Sequence, residues 1–176
     1  MDNTMLIVDD NLMNREILKL LFQNKYEILE AENGREALEI LESCQGHIDI
    51  VLLDIMMPDM DGLEVMRRKA SLPYFKDVPV VIISSSEALD DQVKAFDLGA
   101  NDFVNKPFVP EIVCSRVNNV MASHQRMLSI ALEAERLKVK TELDQMTGLY
   151  NKTTAEYAIN ELLECQSDKL HALMVG

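Results

Sequence analysis

The sequence predicts an α/β fold, a doubly wound parallel sheet of five strands with helices on both faces and an extended C-terminal helix. Three observations carry this reading. Short runs rich in Val, Ile and Leu recur between residues 4 and 105, as in strands buried on both faces. Stretches with the apolar spacing of one-faced helices separate them. Four of the runs end on reactive polar residues: MLIVDD on Asp9 and Asp10, IDIVLLD on Asp54, PVVIIS on Ser84 and DFVNK on Lys106. In an open parallel sheet all strands point their carboxyl ends at one edge, where ligands bind. The fold therefore gathers three carboxylates, a hydroxyl and an ammonium from distant parts of the sequence.

Taken in order, the first strand is Thr4–Asp9, followed by a helix over Leu12–Phe22 whose Ile17, Leu18, Leu20 and Leu21 fit one face on a sheet. Tyr26–Ala31 is the second strand, Asn33-Gly34 the turn after it, and Arg35–Ser43 the second helix. Asp49–Asp54 and Val78–Ser84 are the third and fourth strands, with a helix over Leu63–Lys69 between them. A helix over Glu87–Leu98, stopped by Gly99, leads to the fifth strand, Asp102–Asn105. From Pro110 to Gly148 there is no intervening Gly or Pro, so one long helix is predicted. Helical from Pro110 to Leu143, it spans about 50 Å, more than a small sheet needs as cover. Its distal half pairs Glu133 with Arg136 and Glu135 with Lys138 at i,i+3 and carries an interrupted stripe of Leu128, Leu132, Val139 and Leu143. That pattern fits either a two-stranded coiled coil or a solitary solvated connector.

Composition narrows the class of function. With 48% hydrophobic and 27% charged residues the chain is of ordinary globular type. A net charge of −13 repels a phosphate backbone, which disfavours direct nucleic-acid binding. The dispersed Cys44, Cys114 and Cys165 lack metal spacing and suit a reducing compartment. No leader pattern or membrane-length apolar run is present in the sequence, so a cytoplasmic location is expected. His47, His124 and His171 show no ligand spacing either.

Three carboxylates at one strand edge, Asp9, Asp10 and Asp54, are unfavourable unless a cation or a proton compensates. A hard divalent ion that keeps its waters, Mg²⁺, suits such a cluster when a phosphate is also received. Asp54 is then the reacting group and the other two acids hold the metal. Ser84 can donate to a phosphoryl oxygen and Lys106 can neutralise another. Phosphoryl transfer to an aspartate needs this combination, because catalysis there is mostly positioning and charge stabilisation.

Residues 1–122 resemble the receiver domain of two-component response regulators, through Val8-Asp9-Asp10, the stretch DIMMPDMDG from Asp54 to Gly62, Ser84 after its strand, and Lys106-Pro107-Phe108. The resemblance implies a flavodoxin-like sheet of order 2-1-3-4-5. It implies that Asp54 accepts a phosphoryl group from a sensor histidine kinase or phosphotransfer protein. Asp10, Asp54 and the backbone carbonyl of Met56 would bind Mg²⁺, with Asp9 acting partly through water. Lys106 would contact the phosphoryl group and be joined to Pro107 by a cis bond, while Pro58 and Gly62 shape the loop after Asp54. Ser84 and Phe103 correspond to the family's switch pair; Phe103 has no hydroxyl to satisfy, so it can stay buried in both states. Met56 and Ser86 stand at the positions that tune dephosphorylation, and a methionine there predicts a long-lived phosphoryl state. The face of the fourth helix, fifth strand and fifth helix is the implied homodimer surface.

From Asp144 the stretch DQMTGLYNK is similar to the opening of a GGDEF diguanylate cyclase domain. Residues 123–143 then form a coiled-coil-like linker and residues 144–176 the start of such a domain. The signature and metal-binding acids of a cyclase are missing from this sequence, so the expectation is a regulatory half cut from its output, itself no enzyme, in a cyclase of cyclic di-GMP signalling. The competing reading is a constitutive dimerisation module whose pocket is never phosphorylated.

Overall fold

The computed structural model describes residues 3–44, 47–69, 71–73, 75–85 and 89–142, with side chains through Leu137 in the last stretch. Five strands, β1 (Asn3–Val8), β2 (Tyr26–Ala31), β3 (Ile50–Leu53), β4 (Val80–Ser84) and β5 (Asp102–Asn105), form one sheet in the order β2-β1-β3-β4-β5. Every pairing is parallel. Helices α1 (Leu12–Phe22), α2 (Gly34–Cys44), α3 (Gly62–Lys69), α4 (Leu89–Asp97) and α5 (Pro110–Glu142) alternate with the strands. The doubly wound α/β fold expected from the sequence is the one observed.

Alternation along each strand builds two cores. Leu6, Val8, Val51, Leu53, Val80 and Ile82 face α2, α3 and α4, where Leu41, Val65, Met66 and Ala95 meet them. Met5, Ile7, Ile50, Leu52, Val81 and Ile83 face the other way, onto Leu18 and Phe22 of α1 and Val113, Val117, Val120 and Met121 of α5. Side chains of successive strand residues point to opposite faces, so a continuous apolar run supplies both layers at once.

Boundaries differ from the sequence reading in ways with local causes. β4 begins at Val80 rather than Val78, because Pro79 has no N–H for the ladder and contributes only its carbonyl, which accepts from Val51 N at 3.0 Å. Asp9 and Asp54 lie just past their strands. Asn33 opens α2 instead of forming a free turn: its Oδ1 accepts from Glu36 N at 3.0 Å. Gly99, at φ 90°, closes α4 as foreseen, with Ala100 N donating to Ala95 O at 2.9 Å.

The chain divides into two units, Met1–Gln125 and Arg126–Gly176. The GGDEF-like stretch and Ser86 lie outside the described residues, and among those that are described no helix is long and apolar enough to cross a membrane.

Candidate functional site

Strand order reverses between β1 and β3, the position at which open α/β sheets bind ligands. Val8 and Leu53 are register partners, so the residues that follow them, Asp9 and Asp54, leave the sheet side by side. Each is held by its own amide: Asp9 N donates to Ala31 O at 3.2 Å and Asp54 N to Val8 O at 2.9 Å. Both side chains are buried, whereas Asp10 is exposed. One carboxylate oxygen from each of the three lies within 4.8 Å of the others. That all-oxygen donor set fits a hard divalent cation.

Lys106 arrives from the end of β5, through a cis bond to Pro107. Its backbone N donates to Ser84 O at 2.9 Å, which ties the ends of β4 and β5 together. Its Nζ donates to Asp9 Oδ2 at 2.6 Å and to Asp54 Oδ2 at 2.5 Å. Burial disfavours the ammonium, but the hydrogen bonds and charges of Asp54 and Asp9 outweigh it and hold Lys106 above its ordinary range. Asp54 is pushed up by burial; Lys106 and the Met56 amide pull it back only in part, and the Asp9 charge adds to the rise. The two directions agree physically, since one ammonium faces two anions and each anion has only a share of one cation.

The loop after Asp54 is built by close backbone approach. Met56 N donates to Asp54 Oδ1 at 3.0 Å, and Gly62 N to Ile55 O at 3.0 Å. A Cβ at Gly62 would collide with the Asp54 carbonyl, so only glycine lets α3 start against the site. Asp59 takes φ 65°, a left-handed conformation that Asp tolerates better than most residues. Asp61 caps α3 by accepting from Glu64 N at 2.7 Å. Pro58 is exposed, and the Met56 side chain, 57% exposed, lines a shallow cleft of about 500 Å³ with Asp10, Asp61 and Asp91.

Of the residues singled out in the sequence, Asp9, Asp10, Asp54 and Lys106 come together directly. Ser84 is fully buried at the end of β4. Phe103 is half-buried against the α2–α4 core. Two residues of the site went unnoticed in the sequence. Asn14 Nδ2 reaches both oxygens of Asp9, at 3.1 and 3.2 Å. Buried Arg15 donates to the carbonyl of Asp9 at 2.9 Å and pairs with Glu32 at 2.6 Å. The available signal was their place in the first turn of a helix that begins right after an acidic strand end, where side chains lean back toward the N-terminus.

Comparison with known proteins agrees with this geometry. A Vibrio cholerae serotype O1 protein named a probable cyclic di-GMP phosphodiesterase is 37% identical over 149 residues, covering 81% of this chain and 33% of that protein. The transcriptional regulatory protein SrrA of Staphylococcus aureus is 35% identical over 126 residues, covering 71% of this chain and 50% of SrrA. The chain thus spans half or less of these curated relatives. Among solved structures, a CheX–CheY–BeF3–Mg complex from Borrelia burgdorferi matches with a TM-score of 0.63 at 31% identity, over 67% of this chain and 88% of that one. Residues 5–118 match the family described as the response regulator receiver domain. That stretch runs from within β1 into α5 and takes in β2 to β5 and the whole acidic site, and the chain belongs to the response regulator receiver family.

Proposed function

We propose that the chain is the signal-receiving part of a response regulator in which Asp54 is the phosphoryl acceptor. The observation that carries this reading is a buried Asp54 carboxylate, hydrogen-bonded by Lys106, with two further carboxylates beside it. The donor is a phosphohistidine on a sensor histidine kinase or phosphotransfer protein. An Asp54 oxygen forms the new O–P bond while the N–P bond breaks, and the imidazole leaves with the electron pair and takes a proton. Asp10, Asp54 and the backbone carbonyl of Met56 hold Mg²⁺, with Asp9 acting partly through water. The bound ion supplies charge neutralisation between the carboxylates and the incoming phosphoryl oxygens. Lys106 transfers its ammonium contact from the carboxylates to the phosphoryl group, Ser84 donates to a second oxygen, and Phe103 responds from the adjoining core.

The output is an enzyme of cyclic di-GMP metabolism. The GGDEF-like stretch in residues 144–176 favours synthesis, with residues 1–122 as receiver and 123–143 as linker. The name of the Vibrio relative favours hydrolysis, and its match, covering 81% of the chain, runs past the receiver. Homodimerisation through α4, β5 and α5 is the route of control, since Leu89, Val93, Phe96, Val109 and Ile112 expose apolar surface there.

Incubation with acetyl phosphate and Mg²⁺, followed by intact-mass measurement, tests the core of the proposal. One phosphoryl group should add to the wild type and none to Asp54→Ala. No gain, or gain in both proteins, would favour the constitutive dimerisation module instead.

A further inference from the structure

Asp9 carries more hydrogen bonds than a carboxylate that is free to bind a metal. Its Oδ1 accepts from Asn11 N at 2.9 Å and from Asn14 Nδ2 at 3.1 Å. Its Oδ2 accepts from Asn14 Nδ2 at 3.2 Å and from Lys106 Nζ at 2.6 Å. A carboxylate offers about four lone-pair sites, and these four contacts occupy them. Asp54, by contrast, accepts from one amide and one ammonium, and Asp10 stands exposed at the mouth.

The donors differ in permanence. Lys106 sits on a flexible stem and is the one that moves when a second cation or a phosphoryl group enters. Asn11 N is backbone. Asn14 is fixed by the start of α1, whose cap, Asn11 Oδ1, accepts from Met13 N and Asn14 N at 2.9 and 3.3 Å. Its amide therefore still bridges both Asp9 oxygens after Lys106 has left.

We propose that Asn14 is a positioning residue that sets the metal selectivity of the acidic site: with Asn11 N it holds three of the four acceptor sites of Asp9 and fixes the carboxylate's orientation, so that this side chain meets the ion through retained water. The inference rests on the acidic cluster being the Mg²⁺ site. A site with few direct protein oxygens and several kept waters suits Mg²⁺, which dehydrates reluctantly; an additional direct carboxylate suits Ca²⁺, which takes six to eight oxygens in flexible geometry. Releasing Asp9 from Asn14 supplies that additional ligand. Arg15 supports the same arrangement from below by fixing the Asp9 carbonyl.

The test is calorimetric titration of the 176-residue chain with Mg²⁺ and, separately, Ca²⁺, for wild type, Asn14→Ala and Asn14→Ser, with circular dichroism as the check on folding. The serine hydroxyl is too short to bridge both oxygens, and it keeps a polar residue in the first turn should the alanine variant not fold. The ratio of Ca²⁺ to Mg²⁺ affinity should rise about tenfold, the low end for a partner behind a metal ligand. A folded variant whose two affinities fall together, or do not change, would overturn the inference while leaving the Mg²⁺ reading intact. A wild type that binds no Mg²⁺ would sink both.

Discussion

At the scale of single residues, Met56 stands beside Asp54, the proposed phosphoryl acceptor, with a side chain that contributes no chemistry. Its amide donates to Asp54 Oδ1, but its side chain is a thioether at the mouth of the cleft, a weak acceptor that cannot orient an attacking water. Met56→Asn places an amide there and should speed loss of the phosphoryl group by about tenfold. That is less than full general-base assistance, because an amide orients water without taking its proton. Timing the release of radiolabelled phosphate from the two proteins checks it, and an unchanged or slower rate in Met56→Asn would refute it. Single residues also show where reading a sequence stops. Asp9, Asp54 and Lys106 were visible because they end apolar runs, while Asn14 and Arg15 looked like ordinary polar residues of a helix start. Their partners are fixed only once α1 leans back over the end of β1, a direction that composition does not encode.

At the scale of elements, the loop from Asp54 into α3 is where backbone geometry leaves least room. α3 begins at Gly62, whose hydrogens face the Asp54 carbonyl, and Gly34 at the start of α2 comes close to Met60 O and Val65 in the same way. Gly62→Ala should lower stability by about 1–3 kcal/mol, as overpacking against backbone does, and should also slow phosphorylation by displacing the Asp54 peptide. Urea unfolding and acetyl phosphate kinetics measure the two effects; a variant with unchanged midpoint and rate would show that the loop yields. The elements themselves were legible because their periods differ, with continuous apolar runs for strands and spaced apolar faces for helices. The exceptions arose where one polar atom decides. Pro79 shortened β4 by removing a donor, and Asn33 became a helix cap through a single side-chain oxygen.

At the scale of the whole molecule, both faces of the sheet are covered, yet α4 and the start of α5 leave Leu89, Val93, Phe96 and Ile112 about half exposed or more. Spaced at 89, 93 and 96, the α4 residues form one ridge, which a second copy of the chain would cover in the proposed dimer. Light scattering over a concentration series should show a dimer strengthened by the phosphoryl mimic beryllofluoride. Phe96→Glu should weaken it at least about tenfold, as loss of a central apolar contact does. A monomer at all concentrations with the mimic present would remove dimerisation from the proposed control.

One feature of the sheet ties the scales together. Asp9 and Asp54 follow directly on the register pair Val8 and Leu53, and their amides continue the ladder to Ala31 and Val8. A slip of one residue between β1 and β3 would turn every apolar side chain of a strand onto the wrong face, and the same slip would part the two acids. Chemistry and core are thus written in a single reading frame. A chain that has paired β1 and β3 correctly has already proofread the placement of Asp9 beside Asp54.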